Sequence, residues 1–210
     1  MNKQIIFFLI VISVFVSLTA FKNQPSLGTN VKSEFLTKYK EMNAKMTSIS
    51  SDFVQYRHME IMNEPIKSSG KFYYKKNDLM KWDQLTPSPY YFIVNGDRVV
   101  KFDGVKRKEL SVNNPQVSYF KSFIMGTVDG TLFENTQFES EFTKTNQYVK
   151  VVLSPLDKQM KKRISAIELL FGLVDLSLQR LTMFEIGGDK MIIEFTGQEF
   201  NTINDDTVFE

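Results

Sequence analysis

Two hydrophobic periods divide the chain. Val31, Phe35, Tyr39, Met42, Met46 and Ile49 are spaced by 4, 4, 3, 4 and 3 residues, one apolar stripe along a helix. Asn30 is placed to cap it and Glu34 lies in its first turn. Such a helix either lies across the domain's own sheet or meets a membrane; the sheet is the simpler partner. From Ile49 the period falls to two. Ile49, Ser51, Phe53, Gln55, Arg57, Met59 and Ile61 alternate with Asp52, Val54, Tyr56, His58 and Glu60, and neither face is cleanly apolar.

Short strands then follow one another, separated by turn residues. Gly70 to Lys76 carries Phe72 and Tyr74 on one face, and Leu79 to Leu85 returns with Met80 and Trp82. Tyr90 to Val94 and Arg98 to Phe102 flank Asn95-Gly96, a type I′ hairpin signal, and Asp103-Gly104 leads to a strand ending at Leu110. Asn114-Pro115 opens a second helix with Val117, Phe120, Phe123 and Ile124 on its buried side and Gly126 at its end. Strands resume at 138–144, 148–153, 164–171, 178–186 and 190–195, the last two joined by Gly187-Gly188. Val208-Phe209 offers a short final strand. The sum is α+β: about ten or eleven antiparallel strands in a strongly curved sheet, with helices covering its concave side.

Residues 1–20 read as an export signal, with Lys3 ahead of an apolar run from Ile5 to Leu18 and cleavage after Ala20. That run is short for a bilayer span. Leu18 is large for its place before the cut, so an uncleaved anchor stays open. Residues 21–210 are then one domain, long enough to bury a core. With 26 Lys plus Arg against 24 Asp plus Glu, nothing favours nucleic acid as a partner. The absence of cysteine excludes disulfides, thiolate metal sites and a lipid-modified cysteine.

Catalytic chemistry finds little support. His58 is the single histidine, on a strand between Arg57 and Met59, which weakens a metal site or a Ser-His triad. Asp205 and Asp206 read as a solvated turn. Lys158, Lys161, Lys162 and Arg163 begin a strand as an edge guard or as a docking patch for an acidic partner or lipid headgroups. No catalytic residue, metal site or cofactor is assigned. What stands out is apolar surface. Phe72, Tyr74, Met80, Trp82 and Phe92 on the sheet, with Phe120 and Ile124 on the second helix, either fill a core or line an apolar cavity. Periodicity does not separate the two.

The segment Gly70-Lys71-Phe72-Tyr73-Tyr74-Lys75-Lys76-Asn77-Asp78-Leu79-Met80-Lys81-Trp82 resembles the periplasmic lipoprotein carriers, the LolA-like family. The preceding Ser51-Asp52-Phe53-Val54-Gln55 strand, the amphipathic first helix and the Tyr91 to Asp97 strand and turn extend the likeness. The resemblance implies an unclosed β-barrel lidded by helices, with acyl chains in its cavity. It implies a monomeric, non-enzymatic carrier of lipoproteins or other acylated lipids in a Gram-negative periplasm. Its exchange partners would be an inner-membrane ABC transporter and an outer-membrane receptor. It implies further that Lys76, where the family commonly has Arg, latches the lid by bonding its backbone carbonyls. Met80 stands where the best-known members have Phe. An envelope sensor or lipid-binding scaffold on the same fold is the alternative.

Overall fold

The computed structural model describes residues 27–134 and 136–210, so the export signal expected over residues 1–20 lies outside the described residues. Helix α1 spans Leu27–Lys45. It begins before Asn30, which therefore sits inside the helix, where its carbonyl accepts the Ser33 hydroxyl at 3.0 Å. Glu34 serves as an anchor for Lys38 at 2.9 Å and Lys144 at 3.1 Å. The apolar stripe outlasts the helix: Met46 follows its end and Ile49 already belongs to the first strand.

Six strands form a first meander: β1 (Ser48–His58), β2 (Ile66–Lys75), β3 (Leu79–Thr86), β4 (Tyr90–Asn95), β5 (Arg98–Phe102) and β6 (Arg107–Leu110). Five form a second: β7 (Phe138–Lys144), β8 (Tyr148–Pro155), β9 (Ile164–Gly172), β10 (Leu178–Glu185) and β11 (Lys190–Phe200). Helix α2 (Pro115–Asp129) runs between them, with the Val117 amide donating to Asn114 Oδ1 at 3.4 Å. It passes through Gly126, where a Cβ would come within 3.3 Å of Leu132, and stops at Gly130, whose φ of +83° suits glycine.

Local chemistry differs from the pattern at four further places. The β4–β5 turn consists of Gly96 and Asp97, and only Gly96 has positive φ, so the turn is not type I′. Asn77 and Asp78 are the turn residues that take positive φ, at 72° and 61°, between β2 and β3. The basic run forms a 3₁₀ turn at Met160–Lys162, and its strand starts at Ile164. Val208 and Phe209 belong to a 3₁₀ turn, Thr207–Phe209, rather than to a strand, and the preceding Asp205 accepts the Thr207 amide at 3.0 Å.

All eleven strands form one antiparallel sheet, ordered β6-β5-β4-β3-β2-β1-β11-β10-β9-β8-β7. Every neighbour is also a neighbour in sequence except β1 and β11, which pair with Phe53 opposite Phe195. The edge strands β6 and β7 do not pair, so the curved sheet is an unclosed barrel. Its concave face carries Phe53, Phe72, Tyr74, Met80, Trp82, Phe92 and Val94, all buried with the apolar sides of both helices. On the convex face Phe209 covers Leu79, Ile93 and Val100. Both faces of the β3–β5 hairpins are thus protected.

Gly70 marks where this sheet is tightest. It lies on β2 opposite Phe53, where the β2–β3 register shifts, and a Cβ there would overlap the Asp83 carbonyl oxygen. Phe53 and Trp82, two strands apart, stack with ring centroids 3.9 Å apart. Gly70→Ala is expected to cost on the order of 2 kcal/mol or more, since overpacking a filled core typically costs ~1–3 kcal/mol. Urea unfolding midpoints of the two proteins measure it, and an unchanged midpoint contradicts this packing.

An apolar cavity beneath two helices

Between the sheet and the helices lies a cavity of about 50 Å³. Its floor is Ile49 and Ser51 of β1, Phe72, Trp82, Leu181 of β10, and Phe195, Gln198 and Phe200 of β11. Tyr39 and Met42 of α1 and Ile124, Thr127 and Val128 of α2 form the roof, and Leu176, Ser177 and Leu178 close one end. No lining side chain carries a charge. A second apolar pocket of about 160 Å³ lies on the other side of α2, among Tyr119, Phe120, Phe123, Phe138, Met160 and Met183.

Of the residues expected to line a cavity, Phe72, Trp82 and Ile124 come together here. Phe120 lines the second pocket, with its ring 5.0 Å from Phe92. Tyr74, Met80 and Phe92 are buried in the surrounding core and are absent from the lining of either space. Tyr39 and Met42 belong to the α1 stripe, and such a stripe has the same spacing whether it meets a core or a void. Nothing local distinguishes Leu176, Leu178, Leu181 or Phe200 from ordinary strand and turn residues.

Three polar ties hold the roof. The Tyr39 hydroxyl donates to the Thr127 carbonyl at 2.8 Å, joining α1 to the end of α2. Burial pushes this phenol well above its usual range, with Asp129 adding to the effect, so it stays a neutral donor. Burial likewise raises Tyr74, to about 12. Lys76 Nζ donates to the Asn43 carbonyl at 2.8 Å and reaches Ala44 at 3.5 Å. The carbonyls that Lys76 holds are therefore those at the C-terminus of α1, where a cation also suits the helix dipole. Helix α2 has its own tie: Lys121 Nζ bonds Asp78 Oδ2 at 2.9 Å and the Gly96 carbonyl at 3.1 Å. Lys121 falls in line with Val117, Ile124 and Val128, and a cation on an apolar stripe is a signal that could have marked it.

The remaining candidates lie elsewhere. His58 faces Lys190 at the far end of β1. Asp205 accepts the Thr207 amide before the C-terminal turn and Asp206 pairs with Lys75 at 2.7 Å. Among the described residues no three His, Asp or Glu side chains gather to hold a metal, and no helix is long and apolar enough to cross a membrane. What the cavity can do is exclude water from an apolar chain. Tyr39→Phe removes one buried donor and leaves the Thr127 carbonyl without it, at an expected cost of about 1 kcal/mol. Hydrogen exchange in 123–129 should quicken in that variant; unchanged exchange means that the bond does not restrain α2.

The chain also resembles solved structures in its overall fold. The chain is similar to the Pseudomonas aeruginosa MucA/MucB complex, with 12% identity, a TM-score of 0.52, and 85% of this chain and 60% of that chain covered. It is also similar to the lipoprotein LppX of Mycobacterium tuberculosis, with 11% identity, a TM-score of 0.48, and 85% and 98% covered. A LolA superfamily protein of Nitrosomonas europaea shares 9% identity at a TM-score of 0.43, with 86% and 97% covered. At these identities the likeness is one of fold. No curated protein matches the chain significantly. The family model described as outer membrane lipoprotein carrier protein LolA matches residues 44–210, from the end of α1 to the last residue. With most of its length matched, the chain belongs to the LolA family.

Proposed function

We propose that this protein is a non-enzymatic carrier that takes acyl chains of lipoproteins or related lipids into the cavity beneath α1 and α2. Residues 1–20 would export it, and residues 21–210 would work as a single domain in a periplasm. There it would collect cargo at an inner-membrane transporter and deliver it to an outer-membrane receptor. The observation that carries this reading is a cavity lined without charge and roofed by two helices that a few hydrogen bonds tie down.

The energetics fit that task. Ligand pockets commonly measure ~300–1,000 Å³. At about 50 Å³ the cavity is in its closed form and must widen. Widening breaks the tie of Tyr39, worth about 0.5–1.5 kcal/mol net, and those of the charged Lys76 and Lys121, worth up to about 1.5–3 kcal/mol each. Burying one methylene gains about 0.8 kcal/mol, so a ~16-carbon chain offers on the order of 10 kcal/mol. The chain's entry outweighs the latches. The margin still leaves them able to influence release. Met42 in the roof and the Met160–Met183 pair beyond α2 supply side chains that adapt to chains of varied path.

A protein-binding role without transfer is the second reading, since the similar MucB fold is found in complex with MucA. Movement of a labelled lipopeptide between two vesicle populations decides between them. Trp82, the single tryptophan, lines the cavity, so a dipalmitoyl lipopeptide should change its emission saturably and raise the melting temperature. No saturable change together with no gain in melting temperature contradicts the carrier reading. Lys76→Leu removes a bond made only with the roof closed, which disfavours the empty state relative to the loaded one. Release of lipopeptide from that variant should therefore be slower; equal release rates remove Lys76 from the mechanism.

A further inference from the structure

Strands β10 and β11 part company before either ends. Their pairing runs from Phe184 opposite Lys190 to Arg180 opposite Glu194 and then stops. Leu178 of β10 pairs only with Phe171 of β9, while β11 continues along β1 with Thr196 opposite Asp52 and Phe200 opposite Ile49. Gly197, at φ +58°, lies within the stretch where the β1 register shifts. Among the described residues no strand pairs with β11 from Thr196 to Phe200 on the side that β10 has left. An open strand edge of this kind invites pairing with another chain.

A space of about 600 Å³ opens at this split, with Gln147, Gln179, Arg180, Glu194 and Thr196 among its walls. Ser177, Phe195 and Gln198 line this space and the apolar cavity alike. Gln198 Nε2 donates to the Leu178 carbonyl at 2.6 Å, one neutral hydrogen bond where strand pairing is missing. The acyl cavity therefore meets a polar vestibule through the wall of the sheet, across a single side-chain bond.

We propose that this split is a side portal, through which the polypeptide end of an acylated protein leaves the cavity and lies along the open edge of β11. The inference rests on the carrier reading and specifies where its cargo's polar part goes. The vestibule's chemistry selects a peptide over an anionic headgroup. Arg180, its one cation, is engaged by Glu194 at 2.6 Å, and Asp175 adds a negative charge. Glutamine amides and an unpaired strand edge match peptide N–H and C=O groups, as in strand addition.

The test uses the whole protein with a fluorophore on Gln147→Cys, at the vestibule, or on Ser122→Cys, at the rim of the pocket beyond α2. Both positions are exposed, and no native cysteine competes. The probe is a dipalmitoyl lipopeptide with a nitroxide on its peptide a few residues after the acylated cysteine. Quenching several-fold stronger at position 147 than at 122 supports the portal. Equal quenching, or more at 122, overturns it, as does binding reported by Trp82 with no quenching at 147; either result leaves the carrier reading standing. Failure of Trp82 to report any binding overturns both. Gln179→Phe, at an exposed wall position, should weaken lipopeptide binding several-fold and leave free palmitate binding unchanged. A loss of both, or of neither, overturns the portal.

Discussion

The structure depends on the seam between β1 and β11. Each meander could fold by pairing neighbours in sequence, but only this seam makes them one sheet. It closes a loop that spans most of the chain, a contact whose entropic cost must be met by what it buries. Phe53 supplies much of that. It pairs with Phe195 across the seam, stacks on Trp82, and is 1% exposed. The cavity lies along the same seam, drawing Ile49 and Ser51 from one strand and Phe195, Gln198 and Phe200 from the other. Neither meander alone has the cavity.

With β6 and β7 not paired to each other, the two helices roof the concave face; α1 packs toward one half, while α2 meets both, its Phe123 ring lying 6.5 Å from Phe138 of β7. The Phe35 and Tyr39 rings of α1 pack with Phe133, Phe142 and Phe171, toward the β7–β9 side. Helix α2 sets Phe120 against Phe92 and ties Lys121 to the turns at Asp78 and Gly96, toward the β3–β5 side. Tyr39 and Lys76 are the cross-links, the first between helices and the second from the β2–β3 turn to α1. Opening such a roof would have to break the Tyr39 and Lys76 cross-links.

Strands were legible because a half-buried sheet writes its geometry as a period of two, and turn residues mark the reversals. The α1 stripe showed a helix, yet its limits were missed: Met46 and Ile49 keep the spacing after the helix has ended. Phe72, Trp82 and Ile124 were found at the cavity, whereas Tyr74, Met80 and Phe92, with the same apolar character, lie in filled core. Hydrophobicity reports burial and is silent on whether the space beside a residue is full. The latch partner and the β10–β11 split were hidden for another reason. Both arise where segments distant in sequence meet, and only Gly197 and the off-pattern Lys121 left local traces.

If the protein is the carrier we propose, Lys76 is a small contact able to tune it. As a point charge it makes one close bond to Asn43 and a long approach to Ala44, where the planar fork of an arginine could bond two carbonyls together. A ligand shifts an opening equilibrium only through its preference for one state, so weakening the closed state raises apparent affinity as surely as a better lining does. On the carrier reading, arginine at this position would favour closure and release, and lysine would shift the balance toward retention. In the carrier we propose, the apolar lining would supply most of the affinity, at about 0.8 kcal/mol per buried methylene. Control over when cargo leaves would then fall to the few polar atoms in the roof rather than to the many apolar ones in the floor.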